Sequence, residues 1–392
     1  MKTKNPWGTL FLILAEFLIF TLFFSCSTPD VSVDKTYENG VEVVLNHLQP
    51  YEMENESSTF TLERIFSIDT EKANIAELDL GDIAFFDIDT EGNIYCIGRR
   101  TGENIIFKFN DKGEFQLSFG RKGQGPGEIQ AAFYIHVTQS DEIVITNAGN
   151  NRMSVFFGDG TLKEEIKTGS GINAVCPLPN GNILLYKNFV DPTQDYITQN
   201  PLILHNSSFE ELQELDRQMV PNPIVGERLK GFWHIFSWSV ADEMIFTGFQ
   251  ERGYEIYVYD FNGRMLRKIK KEHKSVPVPQ AHKDEFMGAF SIPIFDDIRN
   301  KIYFPASMPP FLSFLADERG WLYVLTYEQG ENPGESIFDI FTPEGIFVGR
   351  KGLRVMSDES GLYAKIRNNR FYNLVEKESG YKELIVYQMF WE

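Results

Sequence analysis

A short pattern that returns along the chain constrains this sequence more than any other feature. "FNDKGEF" (109–115), "FFGDGTL" (156–162), "YDFNGRM" (259–265) and "FTPEGIF" (341–347) share aromatic-x-x-x-Gly-x-apolar. The aromatic residue ends one strand, the glycine supplies the positive φ of a hairpin, and the apolar residue opens the next strand. "LHNSSFE" (204–210) is a degenerate copy that lacks the glycine. A second register reads "GNIY" (92–95), "DEIV" (141–144), "GNIL" (181–184), "DEMI" (242–245), "GWLY" (320–323) and "NRFY" (369–372). Each is a turn pair followed by apolar strand residues. Six copies at spacings of 40 to 78 residues predict six four-stranded units with variable insertions. Units of this kind are propeller blades. The reading is an all-β, six-bladed β-propeller of four-stranded antiparallel blades.

The ends of the chain fit a closed ring. The sixth copy has room for three strands but not a fourth, and an unpaired edge invites aggregation. "STFTLERIFSI" (58–68) is apolar and β-branched and precedes the first unit. It is expected to supply the missing strand and latch the ring. Of 392 residues, 42% are hydrophobic and 34 are Phe, enough for a sizeable core, and no long stretch carries a helical period.

"SFGRKGQGPGEI" (118–129) packs four glycines beside Arg121 and Lys122. A phosphate loop needs a strand, a loop and then a helix start. Here the strand-like "AAFYIHV" follows, so the stretch reads as a crossover between blades. An anion-binding nest at Arg121 and Lys122 is the alternative.

The amino terminus reads as an address. Lys2 and Lys4 precede an apolar run from Leu10 to Phe24 that ends at Ser25 and Cys26. This is the pattern of a secretory signal over 1–25. An uncleaved anchor is the alternative, with Glu16 costly in a bilayer. A small residue followed by Cys resembles the bacterial lipobox, which implies lipidation of Cys26. Ser27 after it implies the outer membrane, as in enteric lipoproteins. Residues 26–58 are polar and read as a flexible tether to a domain over 59–392. Within that domain, 187–232 and 270–310 read as long insertions, expected to cover one face and shape any pocket. "PQAHKDEFMGAF" (279–290) reads as a short helix.

The formal net charge is −19, and no basic stripe offsets it. Nucleic acid is therefore not expected as a partner. Cys96 and Cys176 sit in strand-like stretches of non-adjacent units. Buried free thiols are expected, although an exported protein could bridge them.

"IVITNAGNNRMSVFFGDG" (143–160) resembles an NHL-type blade, with Asn150, Asn151, Arg152 and Phe156 at the motif positions. "FGRKGQGPGEI" resembles the NHL connector. "FPASMPPFLSFLADERGWLYV" (304–324) resembles a stretch of the six-bladed β-propeller lipoproteins of Bacteroidetes-type bacteria, with NHL/TolB-like repeats. The resemblance implies fold and address more than activity.

Sites in propellers form at the mouth of the central channel. "FFDI" (85–88), "FYIHV" (133–137), "AVCPL" (174–178), "FSWSV" (236–240) and "FLSFL" (311–315) are expected to line it. Related six-bladed lactonases and lyases hold a metal there, which makes Asp87 and His136 the metal candidates. Their alternatives are a turn aspartate and a packed histidine. "GFWHIFSW" (231–238) offers Trp233, His234 and Trp238 for stacking on a sugar or peptide, or for core packing. Arg100, Arg121 and Arg152 are candidate anion or ligand contacts, or solvated loop charges. The expected function is a non-catalytic module that binds a protein, peptide or carbohydrate and sits on a membrane through its lipid. The alternative is a metal-dependent hydrolase or lyase at the channel mouth, for which a divalent cation is the cofactor.

Overall fold

The computed structural model describes residues 33–53, 58–99, 101–226, 228–358 and 361–392. Six four-stranded antiparallel blades follow one another along the chain. Blade one holds Ile83–Ile88, Ile94–Gly98, Asn104–Phe109 and Phe115–Arg121, from the axis outward. The inner strands of the next four blades are Ala132–Val137, Ile172–Pro177, Phe236–Ala241 and Ser313–Ala316. Blade six contributes Ala364–Arg367, Arg370–Glu376 and Lys382–Trp391, and Phe60–Asp69 pairs antiparallel along that last strand. The first long strand of the domain thus completes the last blade, as the sequence predicts.

The turn glycines do what their spacing requires. Gly113, Gly160, Gly263 and Gly345 all adopt φ between 80° and 84°. In the degenerate copy Phe209 takes that place at φ 62°, a region a non-glycine residue enters at a cost. The first turns of blades one and five share a further device. Asp89 and Asp317 are buried, and each accepts two backbone N–H groups of its own turn and a hydroxyl, from Tyr95 and Tyr323 respectively.

The core is not one mass but six layers, one between each pair of neighbouring blades. Blades six and one share Phe86, Ile94, Phe107, Tyr372 and Leu384, while blades five and six share Tyr323, Phe338, Phe371 and Phe60. The remaining layers lie between blades one and two, two and three, three and four, and four and five. A ring of this kind is stable only when closed, because each blade buries both of its faces against neighbours.

Two segments differ from their expectation. Most of 187–232 is not an insertion, since Tyr196–His205 and Glu211–Pro221 are the third and fourth strands of blade three. Their outward side chains are polar and their hairpin lacks its glycine, so the repeat is hidden there. The stretch read as a tether contains an ordered hairpin, Asp34–Glu38 with Val41–Asn46. Val41–Asn46 runs parallel to Met265–Lys271 and widens blade four to six strands. Val43 and Val44 are fully buried by that pairing.

The stretch from 272 to 312 is a true insertion and carries the expected helix at Gln280–Ala289. With an even number of antiparallel strands per blade, every link to the next blade lies at the end where the inner strands begin. We call this end the entry face. The glycine-rich stretch 122–131 is such a link and leads into strand, not helix.

Candidate functional site

The inner strands enclose a cavity of about 1320 Å³ along the central axis. Alternation along each strand points every second side chain inward. The cavity is lined by residues of all six blades, among them Phe85, Asp87, Tyr134, His136, Trp238 and Lys365. The five strands expected to line the channel all do so. The sixth, Ala364–Arg367, brings in Lys365 and Arg367, which sequence reasoning missed. The "NRFY" register two residues beyond it marks its place, by analogy with the other five blades.

Asp87 is the hub. One of its oxygens receives Lys365 Nζ at 2.8 Å and the Ile88 N–H at 3.0 Å. The other accepts the Val137 N–H of blade two at 2.7 Å, and His136 Nδ1 lies 3.7 Å away. The carboxylate thereby ties blades six, one and two together. Burial works to raise its pKa, but the Lys365 and His136 charges and these hydrogen bonds outweigh it and hold the group below the ordinary carboxylate range. For His136 burial dominates, against the pull of Asp87, and its pKa falls to about 4.

Asp87 and His136 do meet, as a metal site would require. Lys365, however, sits where a cation would have to bind. Among the described residues, no group of three or more His, Cys, Asp or Glu side chains could hold an ion. The donor set fits an internal salt bridge and does not fit a divalent cation.

The lowered His136 pKa has a consequence for stability. Between about pH 4 and its ordinary value near 6.5, the unfolded chain binds a proton that the folded chain does not. Stability is therefore full above that window and falls as pH drops through it. Its side chain is 20% exposed to channel solvent, which tempers the loss to roughly 1–2 kcal/mol. His136→Asn is expected to flatten urea midpoints between pH 4 and 6.5. An unchanged slope contradicts the assignment.

Above the hub the channel is aromatic. The Tyr134 and Trp238 rings approach to 5.6 Å, and Tyr186 stacks on Phe236 at 5.6 Å. Arg99 lies over Phe85 at 5.8 Å. Cys176 also lines the cavity, and burial pushes its thiol up to about 12. It and Cys96 are free and buried, as expected.

The other candidates lie elsewhere. Arg121 is paired with Glu128 at 2.6 Å, and Lys122 donates to the Thr101 carbonyl at 2.7 Å. Arg152 binds Glu165 at 3.1 Å on the outer half of blade two. Trp233 packs on Phe286 of the insertion helix at 4.8 Å and does not line the channel. His234 is buried at φ 52°, with Nδ1 3.5 Å from Glu251 and neither ring nitrogen hydrogen-bonded. Arg100 and Cys26 lie outside the described residues. Residues 222–226 and 228–235 and the insertion at 272–312 occupy the entry face. The cavity wall, though, is made of blade strands and their turns rather than of these segments.

A family model described as a 6-bladed beta-propeller, DUF5128, matches residues 88–275 and supports a propeller family. No curated protein matches the sequence. Among solved structures, the chain is similar to a protein of Bacteroides fragilis described as exported, with a TM-score of 0.50 and 11% identity over 89% of this chain and 99% of that one. It is also similar to a member of the duf4221 family from Bacteroides vulgatus, with a TM-score of 0.53 and 12% identity over 87% of this chain and 100% of that one. These identities show the shared fold alone. A gluconolactonase of Xanthomonas campestris shows a weaker likeness, with a TM-score of 0.41 at 11% identity over 87% of this chain and 99% of that one, and carries no argument about chemistry.

Proposed function

We propose that this protein is an exported, lipid-anchored propeller whose channel binds a ligand without transforming it. The observation that carries the reading is the state of the channel's ionisable groups. Both Asp87 oxygens are occupied by Lys365 and backbone N–H groups, and His136 is a weak base with a pKa of about 4. Neither is poised to move a proton near neutral pH. The wall of the open space carries Tyr134, Trp238 and Phe236, with the amide of Asn173 and the guanidinium groups of Arg99 and Arg367. Flat apolar faces beside hydrogen-bonding edges suit a saccharide or a short peptide. Export is supported by the Lys2, Lys4 and Leu10–Phe24 pattern, and anchoring by Ser25–Cys26. The Bacteroides fragilis protein described as exported agrees with export alone.

The test is a thermal melt with saccharide and peptide panels, with and without EDTA. Binding to the folded state raises the melting temperature by linkage. A saccharide or peptide is expected to raise it, EDTA to leave it unchanged, and Trp238→Ala to weaken binding roughly tenfold. A drop with EDTA that one divalent cation restores overturns this reading in favour of the metal enzyme.

A further inference from the structure

Exposed apolar side chains are unevenly distributed over this propeller. On the entry face of blades three and four, Phe189, Val190, Ile224, Val225, Ile292 and Ile294 are each about half exposed or more, Ile294 reaching 80%. They stand on three loops that are fastened to one another. Asn222, fully buried, donates to the carbonyls of Pro192 and Gln194 and so ties the first loop to the second. Lys301 donates to the Pro223 carbonyl, and Leu229–Lys230 pairs in parallel with Ile302–Tyr303, tying the second to the third. The result is a braced platform. Single exposed apolar residues need no explanation, but a group of six on one buttressed face does.

The chain enters the domain at the same face. Asp34 lies opposite Leu45, which pairs with Lys270 at the entry-face end of blade four's fourth strand. His47 lies 3.0 Å from Asp34 and 3.5 Å from Glu272, where the insertion begins. From Cys26 to Asp34 the chain is eight residues long, a reach of at most about 27 Å. The seven-residue strand Met265–Lys271 alone spans about 23 Å from one face to the other. An anchor at Cys26 therefore holds the entry face near the membrane, whereas turning the opposite face to it would use almost the whole reach. The insertion is close to charge balance, with four cations and five acids over 272–303. It escapes most of the chain's acidity.

We infer that the occupant of this platform is the lipid bilayer surface itself. Phe189, Val190, Ile224, Val225, Ile292 and Ile294 rest in the headgroup region, and the propeller sits with its channel mouth toward the membrane. This rests on the proposed lipidation of Cys26. It goes further by assigning an orientation and a second, non-covalent contact.

The test uses the full chain, purified in its processed form from membranes and reconstituted in phosphatidylcholine vesicles containing a brominated lipid. Ile294→Cys carries a bimane label, with Lys112→Cys in the outer hairpin of blade one on the opposite face as the control. Cys96 and Cys176 are buried and do not label. Flotation with the vesicles reports the anchor, and quenching reports the face. The expected result is flotation with about half of the emission lost at 294 and little lost at 112. Flotation with equal quenching, or with quenching at 112 alone, overturns the orientation and leaves the anchor standing. Failure to float overturns the anchor and the orientation with it. Flotation with no bromolipid quenching at 294 but excimer emission there assigns the platform to a second copy of this chain, and the proposal falls.

Discussion

A chain lacking residues 58–69 is expected to lose its cooperative unfolding transition altogether. Phe60–Asp69 is the outermost strand of blade six and pairs with Lys382–Trp391 along its whole length. Among the described residues it is the strand that joins the two ends of the domain. Phe60 is fully buried, and its ring meets Trp391 edge-on at 5.3 Å and Tyr323 at 6.3 Å. Removing the strand opens the layer between blades five and six and bares the edge of Lys382–Trp391, a template for aggregation. Circular dichroism during a urea titration reads the outcome. A broad, non-cooperative change or loss of soluble protein is expected, and a transition like that of the parent contradicts the latch. Phe60→Ala is the milder version, with an expected cost of about 3–5 kcal/mol.

Asp339→Ala is expected to cost about 3–5 kcal/mol through a different mechanism. Asp339 lies in the third strand of blade five with its side chain only 1% exposed. It faces Lys271 at 3.3 Å and accepts the Tyr254 hydroxyl at 2.8 Å and Arg350 Nε at 2.9 Å. Lys271, 3% exposed, also lies over the Phe347 ring at 4.3 Å. Burial lowers the Lys271 pKa, against the pull of Asp339. Deleting the carboxylate leaves the Lys271 ammonium in an apolar layer without its direct partner, with Glu328 acting on it only from beyond Asp339. The double variant Lys271→Met, Asp339→Leu removes both charges and is expected to recover most of the loss. Guanidinium midpoints for the two variants check this. Equal destabilisation in both contradicts the account, because it would assign the cost to packing rather than to the stranded charge.

The parts of the fold legible in the sequence are those whose cause is local. A hairpin that needs positive φ shows its glycine, so Gly113, Gly160, Gly263 and Gly345 announce four blades. Where the chain tolerates Phe209 in that conformation, the signal vanishes and blade three reads as an insertion. Closure was legible because the sixth copy holds only three strands and leaves an edge that an apolar stretch elsewhere must cover. The hairpin at Asp34–Asn46 was not, because it adds to an outer edge and Asp34–Glu38 shows a polar, exposed face. Its parallel partner lies more than 200 residues away. The site divides in the same way. Asp87, His136 and Trp238 were readable from the strands that carry them. Lys365, which decides that Asp87 holds blades together rather than a metal, was not, because ring closure alone brings blade six against blade one.

The central claim is that the channel is the binding site, and the four tryptophans of the domain over 59–392 make it directly measurable. Fluorotryptophan NMR of the protein, with resonances assigned by single Trp→Phe variants, separates the channel from the rest. Trp238 lies in the channel wall. Trp233 lies against the insertion helix, and Trp321 and Trp391 pack on each other at 5.1 Å beside blade six. Titration with the saccharide or peptide that raises the melting temperature is predicted to shift the Trp238 resonance and to leave Trp321 and Trp391 in place. A ligand that shifts Trp233 and not Trp238 would contradict the account, by placing binding on the insertion and leaving the channel without a role in it.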